Sequence, residues 1–383
     1  MKTKNRYLVK LYVAFMIMQI LLYFLNSDQY FQLSGMYIFL FAASLFGMLW
    51  LVLNIWNRPV NIYQAIIVLL FITVLLSIIA NSSAIERGYL LSYILLMFTA
   101  LVFASMDFTK KELDRLSIAY ICFGVIVSLL IIVVHRRFYA DESNRITIQI
   151  GSNPLIDPNY LGACLVAPSF LALYKAFEGS KKHRRISWIA TFIITIGLFL
   201  TGSRGALLAW GVGILVIFCK KFFHRLNTKK VALFIAVCIM GVVVALCIIP
   251  EAYIERMFDV GTWMDPSNMR RLSLWKNAID HISQRPLLGY GLSSTVVTVG
   301  EAAHSTYLDI FVQIGVIGGL LFTLLLGALF LKKGNIFMKA IIASTAVWSV
   351  FIAAEATMYL WLNISLCIAY SNLKKGDFDE QNC

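Results

Sequence analysis

Residues 60–80 read VNIYQAIIVLLFITVLLSIIA and contain no charged side chain. A helix of this length extends about 32 Å at about 1.5 Å per residue, which is enough to cross the roughly 30 Å hydrocarbon layer of a bilayer. Within that layer a helix satisfies its own backbone hydrogen bonds, whereas an open strand leaves them unpaired. We therefore predict a transmembrane helix at this position.

Apolar runs of similar character recur along the whole chain. The sequence is 60% hydrophobic and 14% charged, with a mean hydropathy of +0.79, whereas soluble domains are roughly 45–50% apolar and about 25% charged. These values exclude a water-soluble enzyme and predict an all-α, polytopic integral membrane protein, with residues 1–383 as a single transmembrane domain. The twelve predicted spans lie near residues 7–25, 36–56, 60–80, 88–106, 117–135, 159–177, 186–203, 205–219, 231–249, 306–331, 338–354 and 357–371.

The basic residues are divided unequally between the two ends of these spans. An even number of spans places both termini on one side, and 23 of the 33 Lys and Arg residues fall on that side. Because cytoplasmic loops of membrane proteins carry an excess of Lys and Arg, we predict that both termini are cytoplasmic. The net charge of +13 is spread over short loops rather than gathered into a groove, so nucleic acid is not an expected partner.

The other 10 basic residues suggest an anion site on the extracytoplasmic side. Nine of them are arginines, and the tenth is Lys276. A guanidinium group offers a planar fork of donors that matches carboxylate and phosphate oxygens, whereas a lysine serves equally well as a topology signal. Pairing of single arginines with neighbouring carboxylates such as Glu255 is the alternative.

Two long extracytoplasmic loops hold most of the polar residues available for chemistry. The larger is residues 250–305 and the second is residues 136–158. In the larger loop, apolar residues at helical spacing predict an amphipathic surface helix over about 268–284. The stripe consists of Leu272, Trp275, Ile279 and Ile282. At about 100° per residue, Arg271 borders this stripe, whereas Arg270 points to water.

Two single residues stand out at the predicted extracytoplasmic ends of spans. Arg204 lies in the turn Thr201–Gly205 between two apolar runs, and a charge at the membrane surface is costly enough to suggest a function, with snorkelling to lipid headgroups as the alternative. His304 precedes the span 306–331. Its ordinary pKa of about 6.5 suits proton transfer, although histidines more commonly have structural roles. The seven cysteines form neither a disulfide framework nor a CxxC metal motif.

Several stretches, taken in order, resemble the O-antigen ligase and O-antigen polymerase family of bacterial inner-membrane glycan transferases. The resemblance covers the chain from about residue 150 to residue 320. The matching stretches are Asp157–Asn159 (DPN), Thr201–Gly205 (TGSRG), Arg271–Trp275 (RLSLW), Arg285–Gly291 (RPLLGYG), Ala303–Leu308 (AHSTYL) and Gly315–Gly318 (GVIG). One departure is Ser305, because an asparagine commonly follows the histidine in the family.

The resemblance implies an enzyme that moves a glycan from undecaprenyl pyrophosphate to an acceptor hydroxyl at the extracytoplasmic surface, without a metal, a cofactor or a nucleotide sugar. It implies catalytic roles for Arg204 and Arg271 as pyrophosphate-binding groups and for His304 as general base. Further residues in the outer segments are expected to bind substrate, namely Arg270, Arg145, Asn159, Tyr290 and Tyr307. For Asn159 a helix cap, and for Tyr290 a turn, are the structural alternatives.

The expected partners follow from the same resemblance. They are the lipid-linked glycan donor, a glycan or lipid acceptor, membrane lipids and, in the cell, a flippase and a chain-length regulator. A polymerase uses another lipid-linked repeat as acceptor, whereas a ligase uses lipid A core or a cell-wall polymer. Because the larger loop is modest for a site that must admit a second large lipid-anchored partner, we favour a polymerase of O-antigen, capsule or exopolysaccharide, with a ligase as the alternative.

Two other classes of membrane protein are alternatives to this reading. A transporter of polysaccharide or lipid-linked oligosaccharide would favour ionisable residues in mid-span and two repeat-related halves, and the sequence shows neither. A metal-dependent glycosyltransferase would place an acidic residue in an early outer loop, where Asp28 and Glu86 are isolated. The sequence therefore favours metal-independent glycosyl transfer.

Overall fold

The structure is a computed structural model. It describes residues 2–23, 37–54, 56, 58–81, 87–134, 148, 156–179, 181–222, 266–292 and 301–373, together with positions 236, 239, 240 and 243. The predicted loop 136–158 and the predicted span 231–249 lie almost wholly outside these residues, and Arg145, Asp28 and Glu86 lie outside them as well.

The described residues form α-helices joined by turns, and no β-strand occurs among them. Their twelve helices are α1 (Lys2–Leu22), α2 (Tyr37–Asn54), α3 (Ile62–Ala80), α4 (Arg87–Ser105), α5 (Lys110–Val134), α6 (Pro158–Glu178), α7 (Lys181–Leu200), α8 (Arg204–Phe222), α9 (Pro266–Gln284), α10 (Thr306–Leu331), α11 (Ile336–Trp348) and α12 (Met358–Asn372). The predicted all-α class is confirmed, and the predicted spans other than 231–249 correspond to α1–α8 and α10–α12, although α11 is shorter than its predicted span.

Hydropathy supports a membrane location for this bundle. In the described part of the chain, α3, α5, α6 and α10 are both long and apolar enough to cross a bilayer, and α2, α4, α8 and α11 contain shorter apolar stretches. One continuous core of buried apolar side chains takes members from every helix except α9. The chain is therefore a multi-pass helical membrane protein.

Helix α6 lies inside the bundle with most of its side chains buried, and it contacts α5, α7, α8 and α11. Gly162 permits its closest approach to the turn between α7 and α8. A Cβ atom at this position would lie 2.7 Å from Cβ of Ala206 and 2.9 Å from Cβ of Ser203. The first turns of α6 and α8 are therefore in direct contact.

The connection between α11 and α12 folds over the N-terminus of α10. The predicted span 338–354 is too long, because α11 ends at Trp348 and residues 349–357 form a turn. The backbone N–H of Thr306 donates to two carbonyl groups of this turn at 2.7 and 2.8 Å, and its hydroxyl accepts an N–H at 3.0 Å. These bonds satisfy backbone groups that a longer helix would have paired internally. We call residues 349–357 the α11–α12 turn.

Helix α10 is broken at Ile314 and Gly315, where the backbone leaves helical geometry and Gly315 has a φ of +72°. A Cβ atom on Gly315 would lie 2.1 Å from the carbonyl oxygen of Leu287, so only glycine fits. The segment after α9 pairs the backbone groups that the break leaves free. The N–H groups of Tyr290, Gly291 and Val316 donate to the carbonyl groups of Val312, Gln313 and Pro286, respectively. The break therefore ties the outer half of α10 to α9.

Helix α9 packs against α10 with a face that differs from the predicted stripe. The packed residues are Leu274, Trp275, Ala278 and Ile282. Leu272 and Ile279, which we predicted to be buried, are each 57% exposed. The small side chain of Ala278 lets α9 approach Val312, and this rotates the helix relative to the stripe. Arg271 then lies on the protein-facing side, and the exposed apolar residues form a second face typical of a helix at a membrane surface.

Candidate active site

Arg204 is held at the first position of α8 by the turn that precedes it. Gly202 adopts a φ of +59°, which lets the chain reverse between α7 and α8. The hydroxyl of Ser203 accepts a hydrogen bond from the Ala206 N–H at 3.3 Å, as an N-cap does, and donates to Oδ1 of Asn159 at 3.0 Å. Arg204 is partly buried, with its Nη1 atom fully covered. Its guanidinium group is thus fixed at a helix N-terminus.

The N-terminus of α6 lies beside that of α8. Asp157 caps α6, because its carboxylate accepts the N–H of Asn159 at 2.6 Å. The side chain of Asn159 then bridges to Ser203. The helix-cap alternative for this segment is therefore realised by Asp157, whereas Asn159 links two helix ends. Helix N-termini carry partial positive charge and favour anions nearby.

His304 occupies a strained position before α10. Its φ is +51°, a value that costs a residue with a Cβ atom of order 1–3 kcal/mol. Two bonds to the preceding residue hold the backbone there. The indole of Trp275 donates to the carbonyl of Ala303 at 3.0 Å, and Oδ1 of Asp309 accepts the Ala303 N–H at 3.0 Å. The imidazole is thereby positioned by both α9 and α10.

The charges around His304 identify its neighbours. Burial and then the positive charge of Arg271 lower the pKa of His304 below its ordinary value, whereas Asp157 and Glu301 act in the opposite direction. The net effect keeps the imidazole neutral at neutral pH. Arg271, from α9, and Asp157, from the start of α6, therefore lie close enough to His304 to influence its protonation.

The carboxylate of Glu301 lies between His304 and Arg270 of α9. Oε1 of Glu301 lies 3.6 Å from Nε2 of His304, and Oε2 of Glu301 accepts from Nε and Nη2 of Arg270 at 2.8 and 2.6 Å. The side chain of Arg270 is 71% exposed. Arg270 and Arg271 thus differ in environment, since the first pairs with Glu301 in solvent and the second lies on the protein-facing side.

Three further residues were predicted to bind substrate, and two of them, Tyr290 and Tyr307, contact other helices. Tyr290 contacts the C-terminal end of α9, where its hydroxyl donates to Gln284 at 3.0 Å and its ring lies under the guanidinium of Arg285. The hydroxyl of Tyr307 donates to the Ala346 carbonyl of α11 at 3.1 Å. Both side chains thus contact other parts of the protein, and their substrate-binding roles stay predictions. Arg145 lies outside the described residues.

Sequence analysis missed a buried acid on the α11–α12 turn. Glu355 is 5% exposed, and its Oε1 atom accepts from the Tyr89 hydroxyl at 2.6 Å and from Nε2 of Gln313 at 3.1 Å. A lone glutamate between two predicted spans is a weak signal that could have found it. Among the described residues, no group of three or more His, Cys, Asp or Glu side chains could hold a metal ion.

The helices define a class of protein, a multi-pass membrane protein, in which Arg204 lies at the N-terminus of α8 and His304 just before that of α10. Residues 189–323 match the family model described as O-antigen ligase. This segment includes Arg204, Arg271 and His304. No solved structure matches the chain.

One curated relative is a Rickettsia conorii protein provisionally named a polysaccharide ligase. It is 25% identical over 163 residues, which correspond to 38% of this chain and 38% of the relative. The chain thus covers less than half the length of that relative. The two comparisons confirm the predicted resemblance to the O-antigen ligase and O-antigen polymerase family. Between the two activities they favour the ligase, whereas sequence analysis favoured the polymerase.

Proposed function

We propose that this protein is a glycosyltransferase of the O-antigen ligase type. It transfers a glycan from undecaprenyl pyrophosphate to a hydroxyl group of lipid A core or of a cell-wall polymer. The observation that carries the proposal is that α9, which carries Arg271, is hydrogen-bonded through Trp275 to the residue before His304, where the N-termini of α6, α8 and α10 meet. The family match over residues 189–323 supports it.

The two arginines have the chemistry that the leaving group requires. When the bond between the anomeric carbon and the pyrophosphate oxygen breaks, negative charge accumulates on the pyrophosphate. Guanidinium groups fixed before the reaction stabilise that charge where it develops, and the helix N-termini add to the effect. Arg204 and Arg271 are in this arrangement bound to the pyrophosphate of the donor.

His304 acts as the general base. Its neutral imidazole accepts the proton of the acceptor hydroxyl as that oxygen attacks the anomeric carbon. Nε2 faces Glu301, so Nε2–H donates to that carboxylate and Nδ1 receives the proton. The 3.6 Å separation shortens in the reacting complex, as catalytic hydrogen bonds commonly do. Glu301 is thus a positioning residue, and Arg270 holds it.

The site faces away from the cytoplasm in this proposal. The support is the uneven distribution of Lys and Arg, which assigns both termini to the cytoplasmic side and the N-termini of α6, α8 and α10 to the opposite side. A lipid-linked glycan that has crossed the inner membrane meets the site there. A cysteine at Ser294, labelled by an impermeant reagent in whole cells, tests this orientation, and labelling only after membrane lysis contradicts it.

Glycan analysis in a deletion strain tests the reaction itself. Loss of a ligase leaves long glycan chains on the carrier lipid, whereas loss of a polymerase leaves single repeats attached to the surface. We expect the first result, with rescue by the parent gene and no rescue by Arg271→Ala at equal membrane levels. Single surface-attached repeats would instead return the assignment to a polymerase.

A further inference from the structure

Glu355 is an acid whose surroundings do not account for its charge. It is 5% exposed, yet only one of its two carboxyl oxygens is used. Oε1 accepts from Tyr89 and Gln313, whereas Oε2 is buried and has no hydrogen-bond partner among the described residues. A buried polar atom left unpaired destabilises the folded protein. An isosteric glutamine would keep an acceptor for these two donors without burying an acid, so the carboxyl group requires a functional explanation.

The groups that face Glu355 are neutral. The titratable neighbours that influence it or are influenced by it are Tyr89, Tyr93 and Tyr160. No lysine, arginine or histidine of the described chain forms an ion pair with it. Burial accordingly raises the pKa of Glu355 above its ordinary value. The described surroundings of Oε2 therefore contain no cation that would hold the carboxyl group ionised.

The position of Glu355 connects it to the candidate active site. The α11–α12 turn that carries it receives the N–H of Thr306, two residues after His304, and the hydroxyl of Tyr160, one residue after Asn159, at 2.7 Å. Phe351 of the same turn lies against Gly205, next to Arg204. Three segments that carry predicted site residues therefore meet on this turn.

The surrounding chemistry matches a carbohydrate. A sugar hydroxyl both donates and accepts, so it can pair with Oε2 whether the carboxyl group is ionised or protonated. The amide of Gln313 and the phenol of Tyr89 add polar planar groups, and the rings of Tyr93 and Trp361, 6.1 Å apart in an edge arrangement, supply apolar surface. Ligand sites combine a few convergent polar groups with aromatic walls in this way.

We propose that Glu355 binds a hydroxyl group of the donor glycan through Oε2, as a substrate-binding residue separate from the arginines that bind the pyrophosphate. The inference rests on the proposed glycosyl transfer and names the part of the substrate that this acid recognises. The carboxyl group is covered, so binding of the sugar in this proposal requires the α11–α12 turn to move.

Two lipid probes separate sugar recognition from pyrophosphate binding. One is undecaprenyl pyrophosphate without sugar, and the other is the glycan-bearing lipid purified from a strain that lacks this protein. Binding of each to the purified full-length protein in nanodiscs is measured for the parent, for Glu355→Leu and for Glu355→Gln. We expect Glu355→Leu to bind the glycan-bearing lipid about tenfold or more weakly and the bare carrier as the parent does. Glu355→Gln, which keeps one donor and one acceptor, loses less.

A matched control is available at the other end of the bundle. Glu112 is also 5% exposed, and Glu112→Gln should leave the ratio of the two affinities unchanged. Thermal stability supplies a second measurement, since Glu355→Gln keeps an acceptor for Tyr89 and Gln313 and should fold about as stably as the parent.

Each remaining outcome decides the matter. Equal affinities for the glycan-bearing lipid in the parent and in both Glu355 variants overturn the inference and leave the proposed function intact. If the Glu355 variants bind neither lipid, or are much less stable than the parent, Glu355 is a structural acid. A parent protein that binds neither lipid overturns the proposed function and this inference together, whereas Arg271→Ala should lose both lipids under either view of Glu355.

Discussion

Two buried glutamates at opposite ends of the bundle are equally covered and differently paired. Glu112 accepts bonds from the Arg6 guanidinium, from the Thr109 N–H and from the Thr109 hydroxyl, all at 2.8–2.9 Å. Among the described residues, Glu355 has no cationic partner, and its Oε2 atom has no hydrogen-bond partner. The first arrangement is that of an acid that stabilises the fold, because its charge is compensated and caps a helix. The second is the arrangement expected where a substrate completes the hydrogen bonding.

The same contrast extends to the other charged groups. At the Glu112 end, Arg58 pairs with Asp107, and Lys175 pairs with Asp114, which also accepts from the Tyr370 hydroxyl. At the opposite end, an imidazole is held neutral in a strained backbone, and the charged groups around it change its pKa. Substitutions at the first end should therefore affect stability, and substitutions at the second end should affect turnover.

The largest effect is expected at His304. His304→Gln removes the base while keeping hydrogen-bonding capacity, so turnover should fall by roughly 10² to 10⁴ with donor binding unchanged. In the parent the neutral imidazole is active, so the rate falls as pH drops through the His304 pKa, and the lowered pKa places that fall below about pH 6.5. Single-turnover rates measure both. A rate independent of pH from 5 to 8, with chemistry rate-limiting, would make His304 structural and shift the search to Glu301 or Asp309.

The next largest effect separates the neighbouring arginines of α9. Arg271→Ala should reduce transfer by roughly 10² to 10³, because it removes a donor from the developing pyrophosphate charge. Arg270→Ala should retain most activity, since that side chain is 71% exposed and acts only through Glu301. Transfer assays at equal membrane levels compare the two. Similar losses in both variants would contradict the assigned orientation of α9.

Arg204 tests whether the fork geometry matters as well as the charge. Arg204→Lys keeps a positive charge but loses the bidentate donors, so it should be nearly as inactive as Arg204→Ala. Donor binding should weaken in both variants. A fully active lysine variant would show that Arg204 interacts with lipid headgroups instead.

At the other end, Glu112→Ala should leave turnover per folded molecule unchanged. It removes a buried acceptor and a helix cap, so the free energy of unfolding should fall by about 1–3 kcal/mol. Thermal inactivation in detergent, scored beside a transfer assay, measures both quantities. A Glu112→Ala variant that is stable but has slow turnover would contradict the different roles assigned to the two ends of the bundle.

The smallest effect is a shift of the pH profile. Glu301→Gln removes a charge that raises the pKa of His304, so the acid limb should move to lower pH while turnover falls several-fold. The control is Asp280→Asn, an exposed acid on α9. An unmoved acid limb, or direct titration of the labelled His304 ring with an unchanged pKa, would show that Glu301 does not interact with His304.

Sequence predicted the helices well because each membrane span must be a continuous apolar run, and this requirement is local. It placed Arg204 at the end of a span from the TGSRG turn and His304 just before the span that is α10, and the structure has both residues there. Orientation about the helix axis was less predictable. Leu272 and Ile279 have the spacing of core residues, but the close approach at Ala278 directs them outward.

The role of Glu355 depends on contacts that no local pattern contains. Its hydrogen-bond partners Gln313 and Tyr89 are 42 and 266 positions away in the chain. The identity of the bonded oxygen and the burial of the other one are tertiary facts. The Glu301–Arg270 pair is likewise formed across 31 positions by the return of the chain from α9 to α10.

The left-handed backbone conformation of His304 implies a trade-off between catalytic activity and folding stability. Any side chain there is held in a conformation that glycine adopts freely, so the residue proposed to perform the chemistry also weakens the fold. His304→Gly should remove both the general base and the backbone strain. The protein should then be inactive, with a free energy of unfolding larger by about 1 kcal/mol. Such a variant would retain the donor without consuming it, which is the property that trapping the lipid-linked complex requires.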